Sequence, residues 1–121
     1  MRLLRKALVT DWKPAARIVN TELLSLIRLE HDCCEITGRV GTLHLHHVIY
    51  RSHGGDDLRH NILTMASDLH HRYHQSNPNA LFAVGTHVRD HRPDILQYIT
   101  AKMGDGYASM WLARHITREA A

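Results

Sequence analysis

The stretch from His44 to His74, HLHHVIYRSHGGDDLRHNILTMASDLHHRYH, holds eight of the chain's twelve histidines. That density constrains the fold more than any other feature, because imidazoles this close must share a metal, share protons or face water. Histidine suits both of the first two tasks near neutral pH. His70 and His74 are four residues apart, so on a helix they occupy one face. His46 and His47 close an alternating apolar segment, Leu43 to Ile49, that reads as a strand. Between the two places lie a Gly54-Gly55 turn and a lone Asn61.

The flanking text reads as mostly helical. Pro14 opens a pattern carried by Ile18, Val19, Leu23, Leu24, Leu26 and Ile27, and the spacing predicts a helical flank over 14–30, with Asn20-Thr21 as a potential break. CEITGRVG, from Cys34, is a turn-rich knuckle. Ile62 to Met65 is a second short strand. Ser67 is the expected N-cap of a helix running to about Gln75, with Asp68 complementing its dipole. Asn77-Pro78 starts a short helix expected to end before Gly85. Pro93 starts another, with the apolar stripe Ile95 to Met103 as core and Gly104 as its stop. A last helix follows an Asp105-Gly106 turn and completes a helical flank over 78–118. The fold class is therefore α+β, a single domain over 1–121 with a strand–loop–strand–helix centre. Length alone allows one modest core.

Composition narrows the partners. No apolar run approaches the roughly 18 residues that span a bilayer, so no membrane partner is expected and the location reads as cytoplasmic. Cys33 and Cys34 are adjacent, a poor disulfide framework, and are read as thiols. The net charge is +3, and residues 1–30 carry six Arg/Lys against three acids while the rest balances nine against nine. The basic excess thus lies at the N-terminal end and suits an anionic partner such as nucleic acid.

If the two strands and the helix from Ser67 pack together, His46 faces His70 and His74 across a small cleft. Three neutral nitrogens then serve one divalent ion and leave positions open for water or substrate, the catalytic pattern. His47, beside a ligand but not itself bound, can take a proton from an attacking water. This division between base and Lewis acid fits phosphodiester hydrolysis.

HHVIYRSHGG, then Asn61, then LHHRYH resembles the HNH family of nucleases, the ββα-metal fold, and in particular the small stand-alone HNH proteins of bacteriophages and actinobacterial genomes. The resemblance covers residues 34–74, inside a core of about 34–75. It implies an endonuclease acting on double-stranded DNA and leaving 5′-phosphate and 3′-hydroxyl ends. It implies His46, His70 and His74 as ligands of one divalent ion (Mg²⁺, Mn²⁺, Ni²⁺ or Zn²⁺), His47 as general base, Asn61 as holder of the base's loop, and Arg51 and Arg72 on phosphate. A phage packaging role beside terminase, as monomer or homodimer, is compatible with it. The alternative is a non-catalytic, metal-stabilised DNA-binding module.

The chain departs from the family at one place. Many relatives bind a structural zinc through two CxxC pairs, whereas the four positions here read Cys34, Thr37, Ala66 and Leu69. One thiol cannot build a tetrahedral site, so no structural zinc is expected. Leu69, flanked by Ala66, should be buried against the helix before Cys34. The remaining histidines receive plainer readings. His44 lies outside the motif and reads as a surface residue. His53, His60 and His71 read as loop or solvent-face residues, and His31, His87, His91 and His115 as structural. Trp12 and Trp111 read as packing residues.

Overall fold

A computed structural model describes residues 16–116. Helix α1 (Thr21–Glu30) leads through the knuckle to strand β1 (Leu43–His47); β2 (Ile62–Ala66) runs straight into α2 (Ser67–His74), followed by α3 (Pro78–His91), α4 (Pro93–Met103) and α5 (Asp105–Ile116). Single 3₁₀ turns occupy Arg51–His53 and Arg59–Asn61. The class is α+β. No helix among the described residues is long and apolar enough to cross a membrane.

The first flank differs from the sequence expectation. Pro14 and Trp12 lie outside the described residues, and 16–20 are not helical. Asn20 caps α1, its Oδ1 accepting from Leu23 N at 3.0 Å. The backbone just before it is already engaged by the 54–57 loop. Ile18 N donates to Asp56 Oδ1 at 2.6 Å, Asp57 N to Ile18 O at 2.8 Å, and Asn20 N to Asp57 Oδ2 at 2.8 Å. Those groups cannot also close a helical turn, so tertiary partners override the local pattern.

The two strands pair antiparallel, with Leu43 opposite Ala66, His46 opposite Leu63 and His47 opposite Ile62. β1 ends at His47, two residues short of expectation, because Ile49 N donates to the Asn61 side chain rather than to a strand carbonyl. Ser67 is not a cap. It is the first helical residue, and its N–H donates to Thr42 O at 3.0 Å, so the ladder passes directly into α2.

Gly85 does not end α3. A Cβ there would meet His115 Cβ at 2.5 Å, so glycine permits the close crossing of α3 and α5. The helix instead stops at His91, ahead of Arg92-Pro93, where proline disfavours helical geometry in the residue before it. Asp105-Gly106 is likewise the first turn of α5 rather than a separate turn.

The core joins Val48, Ile49, Leu63, Met65, Ala66, Leu69 and Tyr73 to Ala80, Val84, Val88, Ile95, Ile99 and Trp111 of the C-terminal helices. Cys34 belongs to it, 1% exposed, beside Ala66 and Leu69 in the same cluster. Two hydrogen bonds close the turn of the knuckle: Thr37 N donates to Cys34 Sγ at 3.4 Å and Gly38 N to Cys34 O at 2.8 Å. Leu69 is buried, but its cluster is completed by α3 to α5. Ile27, the buried residue of α1, lies outside that cluster. Helix α1 is tied down elsewhere, through Glu30 and the forked guanidinium of Arg59 (2.6 and 2.9 Å).

Candidate metal centre

Strand alternation puts His44 and His46 on one face of β1, and α2 lays His70 and His74 across that face. His70 Nε2 lies 3.1 Å from His46 Nδ1 and 2.9 Å from His74 Nε2. Three nitrogens at bond lengths of about 2.1 Å around one tetrahedral ion would sit roughly 3.4 Å apart. The observed spacing is close to that. Residues 46, 70 and 74 form the cluster of three potential ligands among the described residues.

The chemistry of the donors fits a divalent ion. Burial, then the neighbouring His70 and His74, hold His46 well below the ordinary histidine pKa. Burial, then His74 and His44, push His70 down to about 4. Neutral imidazoles are what a metal requires. Without an ion the convergence is unfavourable, since His70 Nε2 faces two nitrogens and one proton can bridge only one of them. His46 is 2% exposed and its Nε2 has no partner. That is the nitrogen that carries the proton when Nδ1 is the ligand.

His47 is the neighbour in sequence but belongs to the other face and to another network. Its Nε2 is 2.8 Å from Asp57 Oδ1. Burial lowers the His47 pKa; the Asp57 bond opposes this, and the Arg51 charge adds to the lowering. Asp57 is 2% exposed. Burial alone would raise its pKa, but the Asn20 N–H, His47 and Arg17 overcome that and keep it ionised. The Arg17 guanidinium pairs with Asp57 and also donates through Nε to Gly55 O at 2.7 Å. Because an ionised carboxylate only accepts, His47 must carry its proton on Nε2, which leaves the lone pair on Nδ1.

Asn61, fully buried, fixes the loop that carries this arrangement. Its Oδ1 accepts from Ile49 N at 2.7 Å, and its Nδ2 donates to Ile49 O and Asp56 O, both at 3.0 Å. The glycine pair has two separate reasons. Gly54 has φ +88°, which a side chain rarely adopts, and a Cβ on Gly55 would lie 1.7 Å from Ile49 O. Asp56 anchors the loop to α4 through Tyr98 Oη at 2.6 Å and Lys102 Nζ at 3.0 Å.

Arg51 and Arg72 are exposed, one in the turn after β1 and the other on α2. Sequence reasoning passed over Asp57 and Arg17, and set His44 aside. The available signal for Asp57 was a pair of adjacent acids just after the glycines, between His47 and Asn61. His44 Nδ1 is 2.9 Å from His70 Nδ1. Tyr73 sits behind the centre, its ring edge-on to His46 at 5.0 Å between centroids. His115 Nδ1 donates to Trp111 O at 2.6 Å, so its Nε2 accepts the Tyr73 hydroxyl at 2.7 Å.

Comparison of the chain with protein-family models, curated proteins and solved structures finds no match.

Proposed function

We propose that this chain is a metal-dependent endonuclease of the HNH type, its strand–loop–strand–helix centre being a ββα-metal core that cuts double-stranded DNA. The observation that carries the reading is the pairing of a three-imidazole centre with a separate, carboxylate-held imidazole from the adjacent residue. A site built only for stability has no use for the second. His46, His70 and His74 would hold one divalent ion, which when bound would supply Lewis-acid stabilisation of phosphate charge and of the departing oxygen.

The chain's own groups divide the remaining work. His47 removes a proton from the attacking water at Nδ1, since Nε2 is committed to Asp57. Asp57 fixes the ring and stabilises the imidazolium once it forms, the role a buried carboxylate plays in hydrolytic triads. Asn61 and Gly55 hold the loop that carries Asp57. Arg51 and Arg72, with exposed guanidinium groups, bind backbone phosphates and position the duplex. His74 is exposed, so the centre opens at the surface where a polymeric substrate can reach it.

The test is incubation with supercoiled plasmid and Mg²⁺, Mn²⁺, Ni²⁺ or Zn²⁺, with EDTA as control. Metal-dependent conversion to nicked or linear DNA is expected. Binding of DNA without cleavage in every metal would replace this reading with that of a non-catalytic, metal-stabilised DNA-binding module.

A further inference from the structure

His44 is exposed on β1, two residues before the ligand His46 and on the same face of the strand. The His70 ring lies over both. One of its nitrogens, Nε2, is directed at His46 and His74; the other, Nδ1, is 2.9 Å from His44 Nδ1. The His44 and His70 rings meet edge to face, with centroids 5.1 Å apart.

A neutral imidazole has one proton and two places to put it. With the proton on Nε2, His70 donates to His46 or His74 and closes the centre with an internal hydrogen bond. With the proton on Nδ1, Nε2 offers a lone pair to an ion. The second arrangement needs an acceptor at Nδ1, and His44 Nδ1 stands at hydrogen-bond distance there. The outer proton of His44 then sits on Nε2, at the exposed edge of the strand, where water can accept it.

We propose that His44 is a positioning residue of the metal centre: it accepts the Nδ1–H of His70 and thereby presents His70 Nε2 to a divalent transition-metal ion. This rests on the reading of His46, His70 and His74 as ligands. Partners of this kind fix tautomer and ring orientation together, and their loss costs roughly 10–100-fold in metal affinity. The thermodynamic route is a population effect. If only a fraction of molecules hold the competent tautomer, the apparent dissociation constant rises by the inverse of that fraction. Because His44 is exposed, its replacement removes little packing, so the effect can be read in a folded protein.

The experiment uses the full chain with His44→Ala, His44→Phe and His44→Gln. Zn²⁺ and Co²⁺ affinities are measured by competition with a chelator, and the His70 tautomer by ¹⁵N correlation spectra of the metal-free protein. Wild type should show the proton of His70 on Nδ1. Ala and Phe should bind metal about 10–100-fold more weakly, with the proton moved toward Nε2. Gln, which restores an acceptor oxygen, should recover most of the affinity and the Nδ1–H signature. A Phe variant that binds metal as wild type does would overturn the proposal and leave the metal centre standing. Failure of wild type to bind either ion would overturn the metal centre itself, and the role of His44 with it.

Discussion

The His47 imidazole donates its Nε2–H to Asp57 Oδ1 across 2.8 Å, with both side chains buried. In the proposed mechanism this contact separates the base from the metal ligands, although His46 and His47 are consecutive. His47→Ala should therefore lower the rate of DNA cleavage by about 10²–10⁴ while leaving metal affinity nearly unchanged. Single-turnover cleavage and calorimetric metal titration are the paired measurements. Loss of metal binding in this variant would exchange the assignments of His46 and His47.

His70→Ala should lose metal affinity and activity together, because its Nε2 is the nitrogen nearest to both other proposed ligands. The same titration checks it. Retained affinity would show that the ion binds elsewhere.

Gly55→Ala should be among the most damaging single changes in the loop. A Cβ at 1.7 Å from the Ile49 carbonyl oxygen forces the backbone apart where Asn61 Nδ2 donates to that same oxygen. The expected loss of stability is about 3 kcal/mol or more, since the buried hydrogen bonds of Asn61 are disrupted with it. Urea unfolding of the metal-free variant measures it. A loss below about 1 kcal/mol would mean that the loop relaxes freely.

Cys34→Ser should cost only about 1–2 kcal/mol, an ordinary core defect, because packing and the Thr37 N–H already occupy the thiol. The protein should stay folded in EDTA by circular dichroism. It should bind one catalytic ion per chain by elemental analysis. Unfolding on chelation would show that a structural metal remains to be found.

Acid should weaken the fold through His115. Burial first, with some help from Arg114, holds it at about 4 despite the Trp111 carbonyl, against an ordinary value of 6.5. The unfolded chain therefore binds more protons than the folded one between pH 6.5 and 4. The stability His115 contributes is complete above pH 6.5 and is lost as pH falls toward 4, amounting to about 3 kcal/mol at about 1.4 kcal/mol per pH unit. Urea midpoints across this range should fall with pH, and less steeply in His115→Phe. Equal slopes in the two proteins would contradict the burial argument.

Much of the histidine cluster was legible because its signals are local. Alternation over Leu43–His47 and the four-residue spacing of His70 and His74 each follow from the geometry of one element. Helix ends were less legible. Asn77 and Gly104 act as their residue types suggest, whereas Gly85, read as a stop, lies inside α3 because α5 packs against it. Ser67, a good cap by type, gave its N–H to Thr42 instead.

By itself the sequence determined which histidines share a face, the order of strands, loop and helix, and the absence of a four-thiol zinc site, since each depends on residue type and short-range periodicity. Only the tertiary structure decided what those histidines touch. The engagement of residues 17–20 with Asp56 and Asp57, the pairing of Asp57 with His47, and the contact of His44 with His70 join positions 10 to 40 residues apart. Nothing in local spacing encodes such contacts. They arise because buried carboxylates, N–H groups and imidazoles must find partners once the core has closed, and the closed core alone fixes which partners are within reach.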